Sequence, residues 1–247
     1  MGAKVVGIIP ARYGSTRLPA KALAQVAGRP MIQRVYERAK QARVLEEVLV
    51  ATDDERIADV VRRFGGNAVM TGSAHQSGTD RIAEVARQLD AQVILNIQGD
   101  EPLIHPEPIA AIAEFLLAHP AVPMATVMTT LTRTEDLANP NVVKVVVDQD
   151  GYALYFSRAP IPAVRDSSLV TRHSSPYFKH LGLYGYQRHF LLQFPTLTRT
   201  PLEQAEQLEQ LRALEHGYKI RVLETTHDSI GVDTAEDLQR VETLLRT

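Results

Sequence analysis

Short apolar runs alternate with stretches of helical periodicity through the first half of the chain, and this alternation limits the fold more than any other sequence feature. Lys4–Ile9, Glu47–Ala51, Asn67–Met70 and Val93–Ile97 read as strands. The stretches between and after them, 31–42, 54–64, 78–89 and 106–118, carry helical spacing, as in Ile32, Val35, Tyr36 and Ala39. Thr52, followed three residues on by Glu55, predicts the cap of the second helix. Strands that are apolar on both sides must be covered on both faces, and helices between successive strands supply the cover. The pattern therefore predicts an α/β fold with a mixed, mostly parallel sheet and helices on both faces.

The pattern changes in the second half. Met124–Thr130, Val142–Val147 and Tyr152–Phe156 read as closely spaced strands, the last two joined by a turn at Asp148-Gln149-Asp150-Gly151 that signals a hairpin. Arg158–Pro176 is rich in Pro, Ser and Arg and reads as an exposed loop. Leu181–Tyr186 reads as a strand, Pro201–His216 as one helix ended by Gly217, and Ile220–Glu224 as a strand. Thr234 and Asp237 predict the cap of a last helix. The expected organisation is a single domain over 1–247 with an antiparallel, loop-bearing insertion around 124–186.

Composition removes several classes of function. A chain of 247 residues can bury a sizeable core. A net charge of -2 gives no electrostatic case for nucleic acid or for an anionic membrane. The absence of cysteine excludes disulfides, thiolate metal sites and thiol nucleophiles. The apolar run before Pro10 is too short for a signal-peptide core or a membrane span. The expectation is a cytoplasmic protein without membrane insertion.

Three segments carry chemistry. The loop after the first strand holds Arg12, Arg17 and Lys21, with small residues at Gly14, Ser15 and Ala20. Three cations on a turn with small residues suit a polyphosphate, because guanidinium forks and ammonium bind phosphate oxygens and backbone N–H groups can approach the anion. Neither G-x-x-x-x-G-K-[ST] nor G-x-G-x-x-G occurs, so the loop is neither a Walker A loop nor a dinucleotide fingerprint. A solvated basic turn is the plainer alternative. The second segment, 93–102, runs a buried strand into Asp100, a common place for a carboxylate that holds Mg²⁺, and also for one that only caps a turn. In the third, Asp233 precedes the cap residue Thr234 and is free for another role. His75, His180, His189 and His227 show no H-E-x-x-H spacing and have no Cys partners, so zinc is not expected. Ser15, Ser77 and Ser157 lack a G-x-S-x-G setting and read as caps or turn formers.

Nine runs, in order, span nearly the whole chain: IIPARYGSTRLPAKAL, VATDDERI, HQSGTDRIAEV, NIQGDEPLI, NPNVVKVV, GYALYFSRAPIP, FKHLGLYGY, PLEQAEQLEQLR and GVDTAEDL. Together they resemble the 3-deoxy-manno-octulosonate (Kdo) cytidylyltransferases. The resemblance implies a nucleotidyltransferase-type (Rossmann-like) sheet and a homodimer. It also implies the reaction of CTP with Kdo to give CMP-Kdo and pyrophosphate, which feeds lipopolysaccharide assembly. It places Arg12, Ser15 and Lys21 on the triphosphate, with Arg17 as a further contact, and puts Mg²⁺ on Asp100 and Asp233. Ser77, Gly78 and Arg81 fall in the cytosine-reading run. Gln98, Arg158, His180, Tyr184, Glu209 and Gln210 fall in runs that line the sugar pocket, with Arg158 and His180 as candidates to meet the sugar carboxylate.

The chain departs from the family pattern at Ala20 and Ala22, where Gly and Pro are usual, and at Ala163, where Trp often stands. Competing readings are a cytidylyltransferase for 8-amino-Kdo or sialic acid, and a nucleotide-sensing module without catalysis. The HQSGT, YFSRAPIP and KHLG-x-YGY runs speak against sialic acid, and the presence of both aspartates speaks against a sensor.

Overall fold

The computed structural model describes residues 4–14, 18–165 and 176–246. Its centre is a nine-stranded sheet. The first half builds β1 (Val5–Ala11), a two-residue ribbon of β2 (Gln25–Val26) and β3 (Arg29–Pro30), α1 (Met31–Ala39), β4 (Glu47–Thr52), α2 (Glu55–Arg63), β5 (Asn67–Met70), α3 (Gly78–Arg87), β6 (Val93–Asn96) and α4 (Pro106–Ala118). The second half adds β7 (Met124–Thr130), α5 (Thr134–Ala138), β8 (Lys144–Val147), β9 (Ala153–Ser157), β10 (Phe178–Gln187), α6 (Arg188–Gln193), α7 (Pro201–Glu206), α8 (Gln210–Glu215), β11 (Ile220–Glu224) and α9 (Ala235–Arg246).

The main path of the sheet runs β11-β7-β10-β6-β1-β4-β5. β10 is antiparallel to both its neighbours, β6 and β7, while the other pairs on this path are parallel. The β8–β9 hairpin attaches to β10 at Phe178 and Lys179. The expected mixed, mostly parallel sheet is thus present, with its antiparallel portion entering through β10 and the hairpin.

Alternation along β1 shows why both faces need helices. Val5 and Ile9 belong to one buried cluster with Ile32, Val35 and Ile57, whereas Val6 and Ile8 belong to another with Ile82, Val85 and Phe190. α1, α2 and α4 cover the first face and α3 and α6 the second.

Two local expectations change. The N-cap of α2 is Asp54, whose carboxylate accepts from Arg56 N–H at 3.0 Å, while Thr52 Oγ1 accepts from Asp54 N–H at 3.2 Å. Thr52 lies wholly buried at the end of β4, so its hydroxyl supports the turn and Asp54 takes the cap. The expected helix over 201–216 is two helices, α7 and α8, separated at Gln207, whose φ of 52° is left-handed. A buried pair joins them: Arg212 Nε donates to Glu203 Oε2 at 2.8 Å and its NH2 to Oε1 at 2.6 Å. Local periodicity carries no sign of a break made by this cross-helix pairing. The described part of the 158–176 region, up to 165, has no helix or strand beyond β9, as expected of a loop.

β10 meets α4 at Gly185, where an added Cβ would lie 2.3 Å from Ile112 Cγ2 and 2.8 Å from Leu116 Cδ1. Both partners are fully buried and cannot retreat. Gly185→Ala should therefore lower stability by about 1–3 kcal/mol through overpacking, read as a shifted urea midpoint with an unchanged m-value. An unshifted midpoint would contradict this packing.

Candidate active site

The first strand delivers the chain to the cleft. After β1 the backbone passes Arg12, Tyr13 and Gly14, and Arg56 lies over the Tyr13 ring, its guanidinium carbon 3.3 Å from the centroid. Ser15 and Arg17, both expected on the triphosphate, lie outside the described residues. The loop returns through Ala20, whose φ of 52° is left-handed, into a 3-10 turn over Lys21–Leu23. A side chain at this φ is strained, so glycine would take this position at lower cost.

Lys21 is the pivot. Its Nζ lies 2.5 Å from Asp100 Oδ2 and 2.9 Å from Asp233 Oδ1. Burial disfavours its charge, but the two carboxylates outweigh that cost and raise its pKa. The aspartates converge because their loops are bonded to each other. Val232 N–H donates to Asp100 C=O at 2.9 Å, and Ser229 Oγ donates to Glu101 Oε2 at 2.7 Å. Gly99 lets this turn press against β1: a Cβ there would sit 3.0 Å from Pro10 C=O. Glu101 is buried, and desolvation pushes its carboxyl up to about 7. At the start of α9, Thr234 Oγ1 accepts from Asp237 N–H at 3.2 Å, and Asp237 accepts from the N–H groups of Asp233 and Thr234.

A cleft of about 330 Å³ opens beside this triad, lined by Pro10, Arg12, Lys21, Ser77, Gly78, Arg81, Gln98, Asp100 and Asp233 among others. Ser77 caps α3, accepting from Asp80 N–H at 3.1 Å. Arg81 is almost fully buried; its guanidinium pairs with Asp53 at 3.0 Å and donates to Thr71. Two hard carboxylates already gathered on one cation match the donor set of Mg²⁺, so the residues present fit that ion.

A second polar group lies behind the cleft. Thr79 Oγ1 donates to Glu209 Oε2 at 2.5 Å. Burial raises the Glu209 pKa. Glu209 Oε1 and Gln210 Nε2 are buried with no hydrogen-bond partner among the described residues. Such groups cost free energy unless something else pairs with them. Gln98 Nε2 donates to Asn96 Oδ1 at 3.4 Å, Asn96 is the register partner of Tyr184, and the Tyr184 ring lies 5.3 Å from that of His180. His180 is buried against Phe156, and its Nε2 is 2.9 Å from Thr126 Oγ1. Desolvation lowers its pKa to about 3, so it is a neutral imidazole at pH 7.

Arg158 is placed differently from the expectation. Its Nε donates to Glu206 C=O at 2.7 Å, NH1 to Pro140 C=O at 2.8 Å and NH2 to Gln207 C=O at 3.3 Å. The fork is engaged by backbone rather than offered to a carboxylate. Neither Arg158 nor the neutral His180 therefore presents a free cation. Sequence reasoning left Thr79 and Asp53 unassigned. Both lie in the runs already singled out, but their partners, Glu209 and Arg81, are recognisable only in space.

A cytidylyltransferase family model matches residues 6–220. A 3-deoxy-manno-octulosonate cytidylyltransferase from Syntrophotalea carbinolica is 55% identical over 246 residues, covering 98% of each chain. This chain belongs to the 3-deoxy-manno-octulosonate cytidylyltransferase family. A solved CMP:2-keto-3-deoxy-manno-octonic acid synthetase, complexed with CTP, superposes with a TM-score of 0.92 at 44% identity over 99% of both chains. A 4-diphosphocytidyl-2C-methyl-D-erythritol synthase from Anaerococcus prevotii, 14% identical with a TM-score of 0.63 over 99% of both chains, shares the fold alone.

Two expectations follow. Below pH 6.5 the unfolded chain protonates His180 while the folded chain does not until about pH 3, so this residue erodes stability as pH falls, by about 1.4 kcal/mol per unit. Glu101 acts with the opposite sign between pH 4.5 and about 7, because its raised pKa gives the folded state more bound proton. Comparing His180→Asn with the parent isolates the histidine: the parent should lose about 2 kcal/mol more between pH 6 and 4.5. Parallel curves would show that His180 takes up a proton freely in the folded state. Ala20→Gly should release left-handed strain and raise stability by about 0.5–1 kcal/mol, less whatever the added unfolded-state entropy offsets; a lower melting temperature would contradict the conformation described.

Proposed function

We propose that this chain transfers the cytidylyl group of CTP to 3-deoxy-manno-octulosonate, releasing pyrophosphate. The observation that carries the reading is the meeting of Lys21, Asp100 and Asp233 in one cleft with Arg12, Ser77, Gly78 and Arg81, in a chain so similar to named Kdo cytidylyltransferases. The anomeric oxygen of the sugar bonds to the α-phosphorus as the bond from that phosphorus to the pyrophosphate oxygen breaks. Catalysis of this kind consists mainly of positioning and charge neutralisation.

Arg12 and Lys21 offset charge on the triphosphate and on the departing pyrophosphate, with Ser15 and Arg17 assigned to the same task. Ser77, Gly78 and Arg81 take the nucleoside end, with Arg81 held rigid by Asp53 and Thr71. Asp100 and Asp233 would hold Mg²⁺, which when bound neutralises phosphate charge and acidifies a coordinated hydroxyl. Gln98, His180, Tyr184, Glu209 and Gln210 take the sugar. Glu209 Oε1, which has Arg212 NH2 at 3.9 Å but no hydrogen bond, and Gln210 Nε2, which has none either, offer one acceptor and one donor to its hydroxyls. Arg158 orders the wall behind them through its three carbonyl bonds. The reading includes a homodimer, a cytoplasmic location and a product destined for lipopolysaccharide. Among the described residues no helix is long and apolar enough to cross a membrane.

Pyrophosphate release with Kdo should be strong with CTP and weak with ATP, GTP and UTP; equal rates with all four would remove the assignment. Asp100→Ala should lower kcat by about 10²–10³-fold and shift stability by no more than about 1 kcal/mol. Full turnover in that variant would leave Asp100 without its role.

A further inference from the structure

Three side chains outside the cleft come together without any linear motif. His105 precedes α4, Glu107 lies in its first turn, and His227 lies in the segment that leads from β11 to Asp233. Their ligating atoms all fall within 4.8 Å of one another. His105 Nδ1 is 3.8 Å from Glu107 Oε2, and His227 Nε2 is 3.9 Å from the same oxygen. The two imidazoles stack, with centroids 4.4 Å apart and planes 23° apart. Neither ring makes a hydrogen bond within 3.5 Å to another described residue, so both keep a lone pair or proton to exchange.

The geometry points to a binding site for a borderline divalent transition metal such as Zn²⁺, formed by His105, His227 and Glu107 and distinct from the Asp100–Asp233 pair. Two imidazoles and one carboxylate are a donor set for Zn²⁺ or Co²⁺, whereas Mg²⁺ takes oxygen donors. Ligand bonds of ~2.0–2.2 Å in a tetrahedron put donor atoms roughly 3.3–3.5 Å apart, so modest side-chain rotation closes the present gaps. Glu107 and both histidines are partly exposed and free to rotate, and the fourth position is left for water. Glu107 supplies a carboxylate oxygen between the two imidazoles, 3.8 and 3.9 Å from their nearest ring nitrogens.

The placement gives the site a consequence. His105 stands at the end of the turn that begins at Asp100, and His227 at the start of the segment that ends at Asp233. These segments are already joined by the Val232–Asp100 and Ser229–Glu101 bonds. An ion shared by His105 and His227 adds a third tie between the two loops that carry the proposed catalytic carboxylates.

The test uses tag-free protein in excess Mg²⁺, which keeps the oxygen site filled. Titration with Co²⁺, read by its d–d absorption, and with Zn²⁺, read by calorimetry and melting temperature, should show one equivalent bound and a melting temperature raised by several degrees. His227→Gln and His105→Gln should each weaken binding by roughly tenfold or more, while circular dichroism and CTP-dependent pyrophosphate release without added Zn²⁺ stay as in the parent. No uptake by the parent in excess Mg²⁺ overturns the proposal, as does uptake that both variants retain. These outcomes are separate from those that test the cytidylyltransferase reading, because binding is measured without turnover.

Discussion

The site depends on one partly buried charge arrangement, a single ammonium set between two carboxylates far apart in sequence. Lys21, Asp100 and Asp233 come from the first loop, the turn after β6 and the turn before α9. Two carboxylates held close would repel each other, and a cation between them turns that repulsion into attraction. The arrangement aims both aspartates at one point. A site that handles a triphosphate gains from that preparation, because charge that is placed beforehand costs no reorganisation during reaction.

The surrounding fold exists to bring these loops to one edge. β1 and β6 are parallel neighbours, so the segments leaving their carboxyl ends emerge side by side. The antiparallel β10 next to β6 sets Tyr184 opposite Asn96, with His180 beside the Tyr184 ring. Beyond the break at Gln207, Glu209 is held by Thr79, and Glu209 Oε1 and Gln210 Nε2 lie buried without hydrogen-bond partners. Strain and incomplete pairing gather here: Ala20 and Gln207 are left-handed, and Glu101 and Glu209 are buried acids with raised pKa values. Features that cost stability in isolation are concentrated where binding and chemistry would use them.

Arg158 and Lys144 illustrate a second use of buried cations. Lys144 is fully buried, and its Nζ donates to the carbonyls of Asn139, Val142 and Arg158 at 3.0, 2.6 and 2.6 Å. Arg158 in turn donates to three other carbonyls. These side chains replace missing strand and helix partners for irregular backbone, which otherwise would be left unpaired. A charged residue within a functional run can therefore serve the frame around a ligand rather than the ligand itself.

The sequence by itself determined the strands and helices of the first half, the location of the phosphate-type loop and the identity of the two aspartates. These are local properties: apolar periodicity fixes which faces are buried, and residue type fixes which groups can meet phosphate or a hard cation. Only the tertiary structure decided that α7 and α8 are separate, that Asp54 rather than Thr52 caps α2, that the Arg158 fork is taken, and that Lys21 sits between Asp100 and Asp233. It alone brought His105 and His227 face to face, where the sequence offered no metal-ligand spacing. Each of these depends on pairing between residues distant in the chain, and a one-dimensional pattern carries the supply of donors and acceptors but not their partners in space.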